Sequence, residues 1–127
     1  MAEIKNWQEQ AESDLKDARL LWENHRHGAA ILFYQQAVEK ILKAYIIFSK
    51  KETPSKTHRI EDLMKTAELN GDELKAETKV EELSKAYIRV RYPDLNRQYY
   101  RKRERAEPMV KLGEKVYQWV KSKFKSH

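Results

Sequence analysis

Residues 29–49 read AAILFYQQAVEKILKAYIIFS. At helical spacing this run carries two apolar stripes, Ala30, Phe33, Ala37, Ile41, Ala44 and Phe48 beside Ile31, Tyr34, Val38, Leu42 and Tyr45. A helix with one stripe needs cover on one side, and a helix with two must be enclosed. Only a narrow strip of Gln35, Gln36, Glu39, Lys40 and Lys43 is polar. This helix is therefore the centre of the core, and the other segments are to be read as its cover.

Upstream, Ile4, Trp7, Ala11, Leu15, Ala18, Leu21 and Trp22 recur in steps of three and four, which predicts a helix from about Asn6, a good N-cap, to about Asn24. The stretch His25-Arg26-His27-Gly28 ends in glycine and reads as the turn between the two helices. Downstream, residues 50–56 with Thr53-Pro54 read as a loop, because the residue before proline resists the α region. A short helix follows from about His58 to Leu69, stopped by Asn70-Gly71. Asp72 then caps a fourth helix with Leu74, Ala76, Val80, Leu83, Tyr87 and Val90 at helical spacing, ended by Pro93. Pro108 sits in the first turn of a final helix, which carries Met109, Leu112, Gly113, Val116 and Val120 and ends near Lys123. The expected fold is all-α: an antiparallel four-helix up-and-down bundle with one extra short helix, forming a single domain over residues 1–127.

With three glycines, three prolines and no cysteine, the composition leaves little for a sheet and excludes disulfides, thiolate nucleophiles and cysteine-ligated metals. No stretch approaches the roughly 20 apolar residues that span a bilayer, and the first residues lack a signal peptide's apolar core. A cytoplasmic protein without membrane attachment is expected.

Charge is unevenly placed. Residues 89–105, RVRYPDLNRQYYRKRER, hold seven basic residues against two acidic ones, a net +5 of the chain's formal +6. Arginines interleaved with Tyr92, Tyr99 and Tyr100 can pair with phosphates while rings stack on unpaired bases, a combination that single-stranded RNA or a nucleotide rewards. The connection from about Tyr92 to Arg105 is also longer than a bundle loop needs, which favours function over mere linkage.

Three runs carry a family resemblance. They are Ala11-x-x-Asp14-Leu15-x-x-Ala18, then Phe33-x-Gln35-Gln36-Ala37-Val38-Glu39-Lys40-x-Leu42-Lys43-Ala44, and, after His58, Arg91-Tyr92-Pro93-Asp94. Together they resemble the HEPN domain along nearly the whole chain. The resemblance implies a small helical bundle, usually a homodimer, found in prokaryotes beside or fused to a minimal nucleotidyltransferase. Such pairs look like toxin-antitoxin modules in which the HEPN protein cleaves RNA. Cleaving members are recognised by an arginine with a histidine a few residues downstream. Where that histidine would fall after Arg91, this sequence has Asn96, Arg97 and Gln98, and no histidine lies between His58 and His127. Metal-independent RNA cleavage needs a group that exchanges protons near neutral pH, and arginine does not.

The residues therefore point to a binding member of the family, with RNA or a nucleotide held by Arg89, Arg91, Tyr92, Asp94, Arg97, Tyr99, Arg101 and Arg103. Tyr92 and Pro93 would fix the loop, and Asp94 would orient an arginine. A homodimer and a nucleotidyltransferase partner are expected; no metal, cofactor or catalytic residue is assigned. Two alternatives stand beside this reading. One is a metal-independent endoribonuclease with a variant site, using Arg91 or Arg97 on the phosphate and His58 or a dimer-mate's group for protons. The other is a non-enzymatic scaffold. Tyr99 or Tyr100 could also accept a nucleotidyl group. His25 and His27 read as parts of a polar turn. His58 reads as a helix-end residue bonding free backbone groups. The strip Gln35, Gln36, Glu39 and Lys40 is either a solvated face or a dimer seam or cleft wall.

Overall fold

The computed structural model describes residues 2–74, 79–91 and 100–126. Among them are five α-helices and no strand: α1 (Ala2–Glu23), α2 (His27–Lys50), α3 (Ile60–Thr66), α4 (Glu81–Arg91) and α5 (Arg103–Lys123), with 3-10 turns at Gly71–Leu74 and Phe124–Ser126. The all-helical expectation holds. Helix lengths differ from it, because α1, α2 and α5 are long while α4 has only 11 residues.

Fourteen of the 24 residues of α2 are buried, and α2 packs against each of the other four helices. Its two stripes explain why: together they span more of the helix surface than one neighbour can cover. Small residues help the helices approach, since Ala11 and Ala18 on α1 and Ala30, Ala37 and Ala44 on α2 are fully enclosed.

Side chains of α1 and α5 meet across the face of α2. Arg19 grips both carboxylate oxygens of Glu114 at 2.8 and 2.7 Å, and the Tyr34 hydroxyl donates to the same group at 3.1 Å. Arg19 holds the Glu114 carboxyl below the usual carboxylate range, against the opposing effect of burial. Burial, aided by Glu114, pushes the Tyr34 phenol up to about 12. A second tie joins the Tyr117 hydroxyl and the Lys121 ammonium to Glu12, each at 2.8 Å.

Several boundaries depart from the sequence reading, each for a local reason. Asn6 lies inside α1 instead of capping it. None of the chain's glycines has positive φ; the left-handed residues that follow α1, α2 and α3 are His25 (φ 61), Lys51 (φ 59) and Glu68 (φ 58). After α1, the Arg26 N–H reaches the Leu21 carbonyl at 2.8 Å and the His25 N–H reaches Trp22 at 3.1 Å, the paired closure of a Schellman turn. Gly28 consequently sits within α2. Asp72 lies inside a 3-10 turn of residues 71–74, its N–H donating to the Asn70 side chain at 2.9 Å, and α4 as described begins only at Glu81. Ala76 lies outside the described residues.

The start of α3 also lacks a side-chain cap of its own. Ser84 of α4 supplies it, accepting from the Ile60 N–H at 3.0 Å while donating to Glu61 at 2.9 Å. α5 begins at Arg103, earlier than the proline signal implies, so Pro108 falls within the helix.

Gly113 marks a close approach of α5 to α2. A Cβ there would lie 2.9 Å from Cβ of Tyr34, an atom fixed to the α2 backbone. Replacing glycine by alanine inside a helix ordinarily gains about 1 kcal/mol, whereas overpacking costs about 1–3 kcal/mol. Gly113→Ala is expected to lower the urea midpoint, because the rigid neighbour cannot move aside. Gly28→Ala, whose added Cβ would meet Val90 at an ordinary 3.8 Å, is expected to leave the midpoint unchanged or raise it.

Candidate nucleic-acid interface

The basic stretch is split between two helices and the segment that precedes the second. Arg89 and Arg91 end α4, and Arg103 and Arg105 open α5, so the expected loop from Tyr92 to Arg105 is shorter at its far end. Tyr92, Asp94, Arg97 and Tyr99 lie outside the described residues, as does the Arg91 side chain.

The described members differ in what they do. Arg89 is half-buried and donates to the Tyr100 hydroxyl at 3.4 Å. Tyr100 is only 7% exposed and belongs to the core cluster, so it is no surface stacking ring. Arg103 lies over the Trp22 ring, its guanidinium carbon 4.8 Å from the ring centre, and pairs with Glu107 at 3.3 Å. Lys111, and then Arg103, lower the Glu107 carboxyl. Arg101 and Lys102 are exposed, as is Arg26 in the α1–α2 turn, and none of the three has a carboxylate partner among the described residues. Cations in the first turn of a helix also face the positive end of its dipole, which an anion relieves.

The turn between α1 and α2 is brought to this region by one polar bond and a ring contact. The His27 Nδ1–H donates to the Arg101 carbonyl at 2.9 Å, since a carbonyl can only accept. The other ring nitrogen of His27 is buried without a hydrogen-bond partner. The His27 ring tilts against Trp22 with centres 4.9 Å apart, and His25 meets His27 edge-on at 6.0 Å. Periodicity places Trp22 only on the core face of α1. No sequence signal links residue 22 to residue 103.

A second polar cluster lies on α2 itself. Gln35, Glu39 and Lys43 are all buried, so the solvated-face reading fails for Gln35 and Glu39, while Gln36 and Lys40 are half-buried. Glu39 accepts from Lys43 at 2.8 Å, from Gln35 at 3.3 Å and from the His58 Nδ1–H at 3.0 Å. The Gln35 amide also donates to the His58 carbonyl at 2.8 Å. His58 thus bonds a carboxylate through its ring, not the helix-end backbone groups expected from sequence. Its side chain is 61% exposed, and its ring stacks against Tyr87 of α4 at 6.0 Å. Lys40 forms a separate ion pair with Asp14 of α1 at 2.6 Å.

A helical bundle centred on an enclosed second helix, with a cationic surface beside the end of α4 and the start of α5, is the class of protein these features define. The HEPN domain model matches residues 4–123, and the chain belongs to the HEPN family. TT1696 from Thermus thermophilus, known from its crystal structure, is similar at 30% sequence identity. That likeness covers 97% of this chain and 99% of TT1696, with a TM-score of 0.74. No curated protein matches the chain in sequence. Among the described residues no helix is long and apolar enough to cross a membrane.

Removing one member of a buried ion pair costs about 3–5 kcal/mol, whereas replacing both with apolar groups is often neutral. Glu39→Leu is therefore expected to lower the unfolding free energy in urea by about 3 kcal/mol. Adding Lys43→Met to that variant is expected to recover most of the loss.

Proposed function

We propose that this HEPN protein binds RNA or a nucleotide on the cationic surface formed by the end of α4, the start of α5 and the α1–α2 turn. The observation that carries the reading is the set of exposed cations Arg26, Arg101 and Lys102, which have no carboxylate partner among the described residues. Arg91, Tyr92, Asp94, Arg97 and Tyr99 belong to the same proposed site by sequence. Arg89 and Arg103 support it through Tyr100 and Trp22. The proposal includes a cytoplasmic homodimer that pairs with a minimal nucleotidyltransferase in a module of the toxin-antitoxin kind, as family membership favours.

Three phosphate contacts predict a slope of log K against log salt of about −2 for a single strand, and five predict about −3.5. Binding to a labelled RNA oligomer, measured by anisotropy between about 50 and 300 mM salt, is expected to give a slope in that range. The double variant Arg101→Ala/Lys102→Ala is expected to flatten it by about 1.4. A slope near zero would overturn the reading.

One observation favours a second reading, that of a metal-independent ribonuclease with a variant site. Glu39 holds His58 by Nδ1 and leaves the rest of an exposed ring toward water, an arrangement suited to proton transfer at Nε2. In EDTA, purified protein would then cleave RNA between about pH 6 and 9, with His58→Asn, whose amide can keep the Nδ1 bond to Glu39, abolishing cleavage while retaining the wild-type urea midpoint. Absence of cleavage across that range would exclude it.

A further inference from the structure

His25 occupies the left-handed position that closes α1, where glycine is the least strained residue and any side chain carries a conformational cost. Lys51 and Glu68 share this conformation, so strain alone says nothing about function. What distinguishes His25 is its surroundings. Its ring is exposed and lies edge-on to His27, which tilts against Trp22, whose face carries the Arg103 guanidinium. Arg26 follows it directly, and His27 ties the turn to Arg101.

Aromatic and guanidinium planes therefore adjoin cations without carboxylate partners. Arg103 is poorly placed to hold phosphate, because Glu107 already takes its Nε–H. Its plane, backed by Trp22, is still open to stacking, for its side chain is 55% exposed. Duplex nucleic acid offers phosphates and hides the faces of its bases, whereas a single strand offers both.

We infer that the α1–α2 turn is the base-contacting half of the site and selects single-stranded over double-stranded nucleic acid. Unpaired bases stack on the His25 imidazole and on the Trp22-backed guanidinium of Arg103, while Arg26, Arg101 and Lys102 take the phosphates. The inference rests on the proposed binding at the cationic surface, and adds to it the structural class of ligand and the residues that discriminate.

The test compares an unstructured RNA oligomer with the same sequence annealed to its complement, by anisotropy at one fixed salt concentration. Wild type is expected to bind the single strand at least about tenfold more tightly. His25→Gly removes the ring while relieving the backbone, so its thermal midpoint is expected to equal or exceed that of wild type. Its single-strand affinity is expected to fall about tenfold, a typical loss for one stacked base, with duplex affinity unchanged. Arg101→Ala/Lys102→Ala is expected to weaken both ligands alike. Equal wild-type affinity for the two forms, or a His25→Gly protein that keeps its preference, overturns this inference and leaves the cationic surface standing. Undetectable binding of either form by the wild type instead removes the reading on which it rests.

Discussion

α2 must be enclosed, and that single requirement organises the molecule. Its two apolar stripes cannot be satisfied by one partner, so α1 and α5 lie along it while α3 and α4 cover what remains. Gln35, Glu39 and Lys43 ride on the same helix and become buried with it. Burying two charges is costly, and their mutual attraction offsets the cost only when the remaining hydrogen-bonding capacity is filled. Glu39 meets that condition through three donors. One of them, His58, lies in the segment between α2 and α3, so the polar strip also fixes where the chain returns after leaving the central helix.

The last turns of α4 connect this buried network to the cationic surface. Tyr87 stacks on His58, Arg89 reaches the buried Tyr100, and Val90 packs near Gly28 at the start of α2. A short helix thus touches the Glu39 cluster, the residue preceding the exposed cations, and the first turn of α2 within four consecutive positions. Displacing α4 would disturb all three together. Mutual repulsion among Arg26, Arg101 and Lys102 is then borne by contacts beneath the surface, in particular the bond from His27 to the Arg101 carbonyl.

Much of this is readable in the sequence, for reasons that also mark the limit. Apolar periodicity in residues 29–49 is a property of one helix and requires no knowledge of its neighbours, so the enclosed helix and the all-α class follow from it. Whether the Gln35–Lys43 strip meets water depends on a segment more than a dozen residues away, and periodicity is silent on that. Helix boundaries are misplaced where turn chemistry is assigned to Gly28 and Gly71, because His25 and Glu68 adopt the left-handed conformation instead, at a cost of about 1 kcal/mol each that tertiary packing absorbs. The position of charge is legible as a count but not as a surface. The same run that reads RVRYPDLNRQYYRKRER is divided between two helices, and its arginines hold different partners.

Local preference and global fold agree along most of this chain, and the disagreements are few. A carboxylate and an ammonium lie on the most buried helix, an imidazole stands where glycine is least strained, and two arginines open a helix whose first turn favours acids. Sequences that fold well keep such conflicts few and place them where something other than stability is served. All three conflicts border α4 or the segments packed against its final turns. Family membership by itself specifies a scaffold and leaves chemistry open. A departure from the most stable choice points to chemistry only where a second observation accompanies it, as it does for His25, whose ring adjoins His27 and through it Trp22 and Arg103, and not for Lys51 or Glu68, which share its backbone conformation.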